Sequence, residues 1–79
     1  MLEKIMQFFD SEDILKADGF DEAIIGFCEH SQRLIYSVSE CIKILEKDMT
    51  EEEADEYFWF NIHQAYVGEK TPIWCIDNI

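Results

Sequence analysis

Residues 49–72, MTEEEADEYFWFNIHQAYVGEKTP, decide how the rest of the chain must fold. Thr50 followed at the third position by Glu53 has the form of a capping box, in which each side chain satisfies a backbone N–H that a first helical turn leaves open. A helix therefore opens at Thr50, with Met49 placed to staple against Ala54. Gly68 stops it, because glycine takes the left-handed conformation that closes a helix, and Pro72 prevents the helix from resuming. At ~100° per residue, Ala54, Phe58, Asn61, Ile62 and Ala65 share one face, with Tyr57 at its margin. This is the expected core stripe. Its polar member, Asn61, needs buried partners for its amide, and the backbone of the 68–71 turn would supply them.

Trp59 and Tyr66 flank that stripe on one side, Phe60 and Val67 on the other, so the helix is apolar over more than half its circumference. Such a helix is either buried on several sides or exposes an aromatic patch. Burial against the sheet and the N-terminal helix is the expectation for Phe60, and less so for Trp59. Glu51, Glu52, Glu53, Asp55 and Glu56 crowd the first two turns. Carboxylates there match the positive end of the helix dipole, each contributing about 0.3–1 kcal/mol when well placed. The run reads first as a solvated, dipole-matched start and second as a binding face.

Immediately upstream the same opening device recurs. Ser37 with Glu40 forms a second capping box, and Tyr36 stands where a staple to Cys41 would sit. Val38, Cys41, Ile42 and Leu45 then repeat at helical spacing, while Glu40, Lys43, Glu46 and Lys47 take the wet side. Before this helix, AIIGFCE (Ala23–Glu29) and RLIYSV (Arg33–Val38) are β-prone runs separated by a hairpin-length loop, His30 to Gln32. Gly26 marks a bulge or a close approach of another element. At the N-terminus Leu2, Ile5, Met6 and Phe9 fall on one helical face; Ile14 and Leu15 belong to its continuation or to a second short turn, and Asp18-Gly19 ends the segment. IWCI (Ile73–Ile76) is a third strand.

The order helix, strand, strand, helix, helix, strand implies an α+β fold over residues 1–79: a three-stranded antiparallel sheet packed against helices. The third strand is expected beside the first, leaving the first central. At 79 residues this is one small domain, of a size at which a single core supplies only about 3–5 kcal/mol.

The chain is 48% hydrophobic and carries a net charge of −12, so it folds while presenting a strongly negative surface. Six Lys and Arg residues against eighteen Asp and Glu argue against direct nucleic-acid binding and against an anionic membrane surface. They favour a basic protein as partner, or acidity that serves solubility alone. Three unpaired-looking cysteines fit reduced, cytoplasmic thiols. No basic region precedes an apolar run as in a signal peptide, and no apolar stretch is long enough for a membrane helix.

Catalytic constellations are missing too. Cys28 and His30 lack the close cysteine pairs of a zinc site, and the cysteines lie in apolar runs that raise thiol pKa rather than lower it. Asp18, Asp21 and Glu22 lack the alternating order of a calcium loop, and Gly19, Gly26 and Gly68 are isolated rather than gathered in a phosphate loop. His63 falls away from the core stripe and reads as a surface residue. No enzyme activity, cofactor or metal is expected.

The segments DGFDEAIIG (Asp18–Gly26), RLIY (Arg33–Tyr36), MTEEEADEYFWFN (Met49–Asn61) and AYVGEKTPIW (Ala65–Trp74) together resemble a group of short, uncharacterised proteins of tailed bacteriophages. That group reads DGF-D-x-A-I-x-G, then M-[ST]-x-E-E-A-x-E-Y-F-x-F-N, then A-[YW]-x-G-E-x-T-P. The resemblance brings no established activity with it. Trp59 stands where a charged residue is usual and Gln64 where glycine is usual. From acidity and this resemblance the expectation is a non-enzymatic accessory protein of the host-cell cytoplasm. It would occupy a basic, nucleic-acid-binding surface of a host or phage protein, with Glu51, Glu52, Asp55, Glu56 and Trp59 in the contact. A structural or assembly protein acting as a homodimer is the alternative.

Overall fold

In the computed structural model, which describes residues 2–8, 14–17, 19–64, 68 and 70–77, the two β-prone runs form the expected hairpin. Strand β1 (Ile24–Cys28) pairs antiparallel with β2 (Arg33–Ser37), Phe27 opposite Leu34 and Cys28 opposite Arg33. The register shifts between Ile24 and Gly26, so of the two readings of Gly26 the structure takes the bulge. The intervening turn is closed by Gln32 N–H on the Cys28 carbonyl, with Gln32 itself at φ 56.

The third strand departs from expectation. β3 (Ile73–Cys75) lies beside β2, not β1, and runs parallel to it, giving the order β1-β2-β3 in a sheet of mixed orientation. Bonds at matching ends of the two strands fix this arrangement. At the start of β2 the Arg33 guanidinium donates to the carbonyls of Thr71 and Pro72, which lead into β3. Beyond its other end, Ser37 Oγ donates to the Asp77 carboxylate at 2.5 Å, just past β3. Parallel neighbours need a long crossover, and residues 38–72 provide one. The bulge at Gly26 is itself an edge feature, whereas Leu34, Tyr36 and Ser37 of β2 are wholly buried, as a central strand requires.

The crossover begins where β2 ends, because Ser37 is also the N-cap of helix α2 (Val38–Leu45) and accepts the Glu40 N–H. To this extent the second capping box forms as expected, while the Glu40 side chain turns to Lys43. Val38 and Cys41 are buried and Ile42, Ile44 and Leu45 pack on the core, which extends through Leu34, Tyr36, Ile24 and Phe20 to Ile14 and Ile5. Ile5 and Met6 come from an N-terminal helix (Leu2–Phe8); Phe9 and the Leu2 side chain lie outside the described residues. Residues 14–17 are irregular, yet tied to the sheet: the Ala17 N–H donates to the buried Tyr36 hydroxyl at 2.8 Å. Gly19 follows at φ 91, the left-handed conformation its position demanded.

Candidate functional site

The second helix of the crossover, α3 (Glu51–Tyr57), opens as its sequence dictates. Thr50 Oγ1 accepts the Glu53 N–H and the Glu53 carboxylate accepts the Thr50 N–H, both at 3.2 Å. Ala54 and then Phe58 are completely buried, so the first half of the expected stripe faces the core.

Beyond Phe58 the helical phase changes. Residues Phe58–Ile62 form a π turn, closed by the His63 N–H on the Phe58 carbonyl at 2.8 Å, an i→i+5 bond. Each residue of such a turn advances by only ~80° rather than ~100°, so the face drifts by nearly one residue over five. Asn61, expected inside, is thereby carried out and exposed, while Ile62 keeps its expected place against the core. The turn at Gly68 is closed instead by Thr71, whose N–H and hydroxyl both bond the Gly68 carbonyl. Ala65, Tyr66 and Val67 lie outside the described residues.

The expectations for the two flanking aromatics are reversed. Phe60 is 71% exposed, whereas Trp59 is half-buried. The Trp59 indole N–H donates to the Asp55 carboxylate at 3.2 Å, and its ring packs edge-on against Phe58 and 4.7 Å from the exposed His63 ring. Trp59 is thus a brace across one turn of helix as much as a surface residue.

Glu51, Glu52, Asp55 and Glu56 are all exposed, but they do not form one cluster. Glu51, Glu52 and Asp55 line a depression with Ile42 of α2. Glu56 lines a different groove, shared with Met49, Glu53, Tyr57, Phe60 and Asn61. Met49, expected to staple against Ala54, lines this outer groove. Met49, Glu53, Tyr57 and Phe60 recur at helical spacing, a signal masked by the expectation that Tyr57 lies at the margin of the core stripe and Phe60 is buried.

These carboxylates have no cationic neighbour on their own helix. Among the described residues the ion pairs are Lys16–Asp21 and Lys43–Glu40, each at 3.4 Å and each elsewhere. Arg33 donates to Thr71 and Pro72, and Lys70 donates to the Ser31 carbonyl and Gln32. The negative potential of α3 is accordingly left to solvent.

The thiols differ from one another. Burial pushes Cys41 up to about 12, assisted by Asp77 and Glu40, as the apolar surroundings imply. Cys28 goes the other way: the Ser31 hydroxyl, then backbone N–H groups of the adjoining turn, hold it below the ordinary thiol value. All three cysteines are unpaired, and among the described residues no three His, Cys, Asp or Glu side chains gather as metal ligands. No helix among them is long and apolar enough to cross a membrane.

Compared with protein-family models, with curated proteins and with solved structures, the chain matches none.

Proposed function

We propose that this chain is a small acidic accessory protein that binds and modulates a host or phage protein, occupying a basic surface that would otherwise hold nucleic acid. The observation that carries the reading is the row of exposed α3 carboxylates, Glu51, Glu52, Asp55 and Glu56, with no ion pair to any of them among the described residues. A surface of this kind attracts a cationic partner over a distance of about a Debye length and repels nucleic acid. The phage resemblance supplies the biological setting, that of anti-restriction or anti-CRISPR inhibitors of the DNA-mimic kind. The protein acts by contact, without catalysis, in the host cytoplasm.

The test is affinity purification from host lysate with the wild-type chain and with Glu52→Lys/Glu56→Lys. Loss of a nucleic-acid-binding partner from the charge-reversed form, and competition of that partner by DNA, are expected. Identical partners for both forms would remove the electrostatic basis. The exposed Phe60 favours a second reading, a homo-oligomeric assembly protein. Sedimentation velocity across a wide concentration range separates the two, because a strict monomer disposes of it.

A further inference from the structure

We propose that the groove on the outer side of α3, between Met49 and Phe60, docks a basic amphipathic helix of the partner. The inference rests on the preceding reading for the sign of the partner's charge and adds the shape and apolar character of what binds. Met49, Tyr57 and Phe60 supply an apolar floor, with Glu53 and Glu56 along it. Phe60 and Tyr57 are among the most exposed large hydrophobics of the chain. Phe60 stands two residues beyond the buried Phe58, almost opposite it around the helix, so its ring is directed away from the core. From Met49 to Phe60 the groove follows about three turns of helix, ~16 Å, the length over which an amphipathic helix sets apolar residues at i, i+4 and i+7.

Charge selects among occupants. Two copies meeting about a two-fold axis would bring their own Glu53 and Glu56 together on chains that each carry −12. An anionic lipid surface and nucleic acid meet the same repulsion. A helix with Leu-like residues flanked by Lys or Arg satisfies both the floor and the acidic groups.

The probe is a three-turn peptide with leucines at i, i+4 and i+7 and lysines beside them, titrated into ¹⁵N-labelled protein. Two controls accompany it, one with serine for leucine at unchanged charge, the other with glutamate for lysine at unchanged apolarity. Binding is expected to shift the amides of Met49, Glu53, Glu56 and Phe60, to weaken about tenfold or more for the serine peptide and for Phe60→Ala, and to vanish for the glutamate peptide. Since Phe60 is exposed, Phe60→Ala should keep the wild-type spectrum, and Glu56→Gln provides an independent variant. Equal binding of the leucine and serine peptides, or shifts centred on Glu51, Glu52 and Asp55, overturns the groove while leaving the acidic-surface reading intact. Failure of both lysine peptides to bind counts against both. Self-association that Phe60→Ala abolishes overturns the inference in favour of a second copy.

Discussion

Helices α2 and α3 are both opened by a hydroxyl N-cap, Ser37 and Thr50, yet α2 buries Val38 and Cys41 and packs Ile42, Ile44 and Leu45 on the core, whereas α3 buries Ala54 alone. Only in the π turn does Phe58 complete its attachment. Their charges differ in the same sense: α2 sets Lys43 against Glu40, while the carboxylates of α3 have no basic neighbour on the helix. A helix held by so few side chains leaves most of its circumference unconstrained by the fold. That freedom is what permits a surface shaped by something other than stability.

The sharpest test of this contrast lies within a single turn. Phe58→Ala removes a fully buried ring that touches Trp59 and Trp74 edge-on, and should cost about 3–5 kcal/mol, enough to unfold much of so small a chain. Phe60→Ala, two positions on, should change stability by no more than about 0.5 kcal/mol. Urea titration followed by circular dichroism measures both. A large loss at Phe60 would mean that the outer face is part of the fold after all.

That pair also shows where sequence was informative. Caps and left-handed glycines are local devices, so Thr50–Glu53, Ser37 and Gly19 could be read directly, and so could the apolar stripe of α2, while the bulge beside Gly26 was one of the readings its sequence offered. The phase of the turn that follows α3 could not be read directly. A helical wheel assumes a constant ~100° step, and the π turn breaks it at Phe58, moving Asn61 out while Ile62 stays in. Strand order failed for a different reason: Ile73–Cys75 carries no sign of its neighbour, and its place is set by Arg33 and Ser37, almost forty residues upstream, bonding beyond its two ends. Glu51, Glu52, Asp55 and Glu56 were legible as exposed charge, but their division between two depressions depends on which of them lies near Ile42 and which near Phe60.

The two N-caps offer a finer comparison. Thr50→Ala should cost about 1 kcal/mol, the usual worth of a cap at an exposed helix end. Ser37→Ala should cost more than Thr50→Ala, because Ser37 is fully buried and its hydroxyl serves both the Glu40 N–H and Asp77. Equal losses in denaturant midpoints would show that the link between β2 and the segment after β3 contributes nothing of its own.

The same link predicts a dependence on acid. The Ser37 hydroxyl, with the Ser39 hydroxyl and N–H, holds the Asp77 carboxyl below its ordinary 3.8 against a weaker opposing effect of desolvation. Because the folded value is the lower one, the stabilisation is fully present above the ordinary carboxylate range and is lost as pH falls through the lowered folded value. Asp77→Asn should therefore flatten the acid limb of a stability–pH curve without altering its neutral plateau in shape. A limb unchanged by that substitution would assign acid sensitivity to other carboxylates.

The smallest effect distinguishes the acidic residues of α3 from one another. Glu52 lies in the first turn, where the helix dipole favours a carboxylate, so Glu52→Lys should destabilise slightly, by about 0.3–1 kcal/mol. Glu56 lies a turn later at i+4 from Glu52, where two like charges repel. Glu56→Lys replaces that repulsion by a Glu–Lys pair in the favourable orientation and should stabilise the protein by about 0.2–0.5 kcal/mol, less at high salt. If the variant is more stable and binds its basic partner less well, the carboxylate at Glu56 opposes the fold and serves the contact. If Glu56→Lys instead destabilises by more than about 1 kcal/mol, the outer face of α3 is held by interactions of its own, and its distinction from α2 fails.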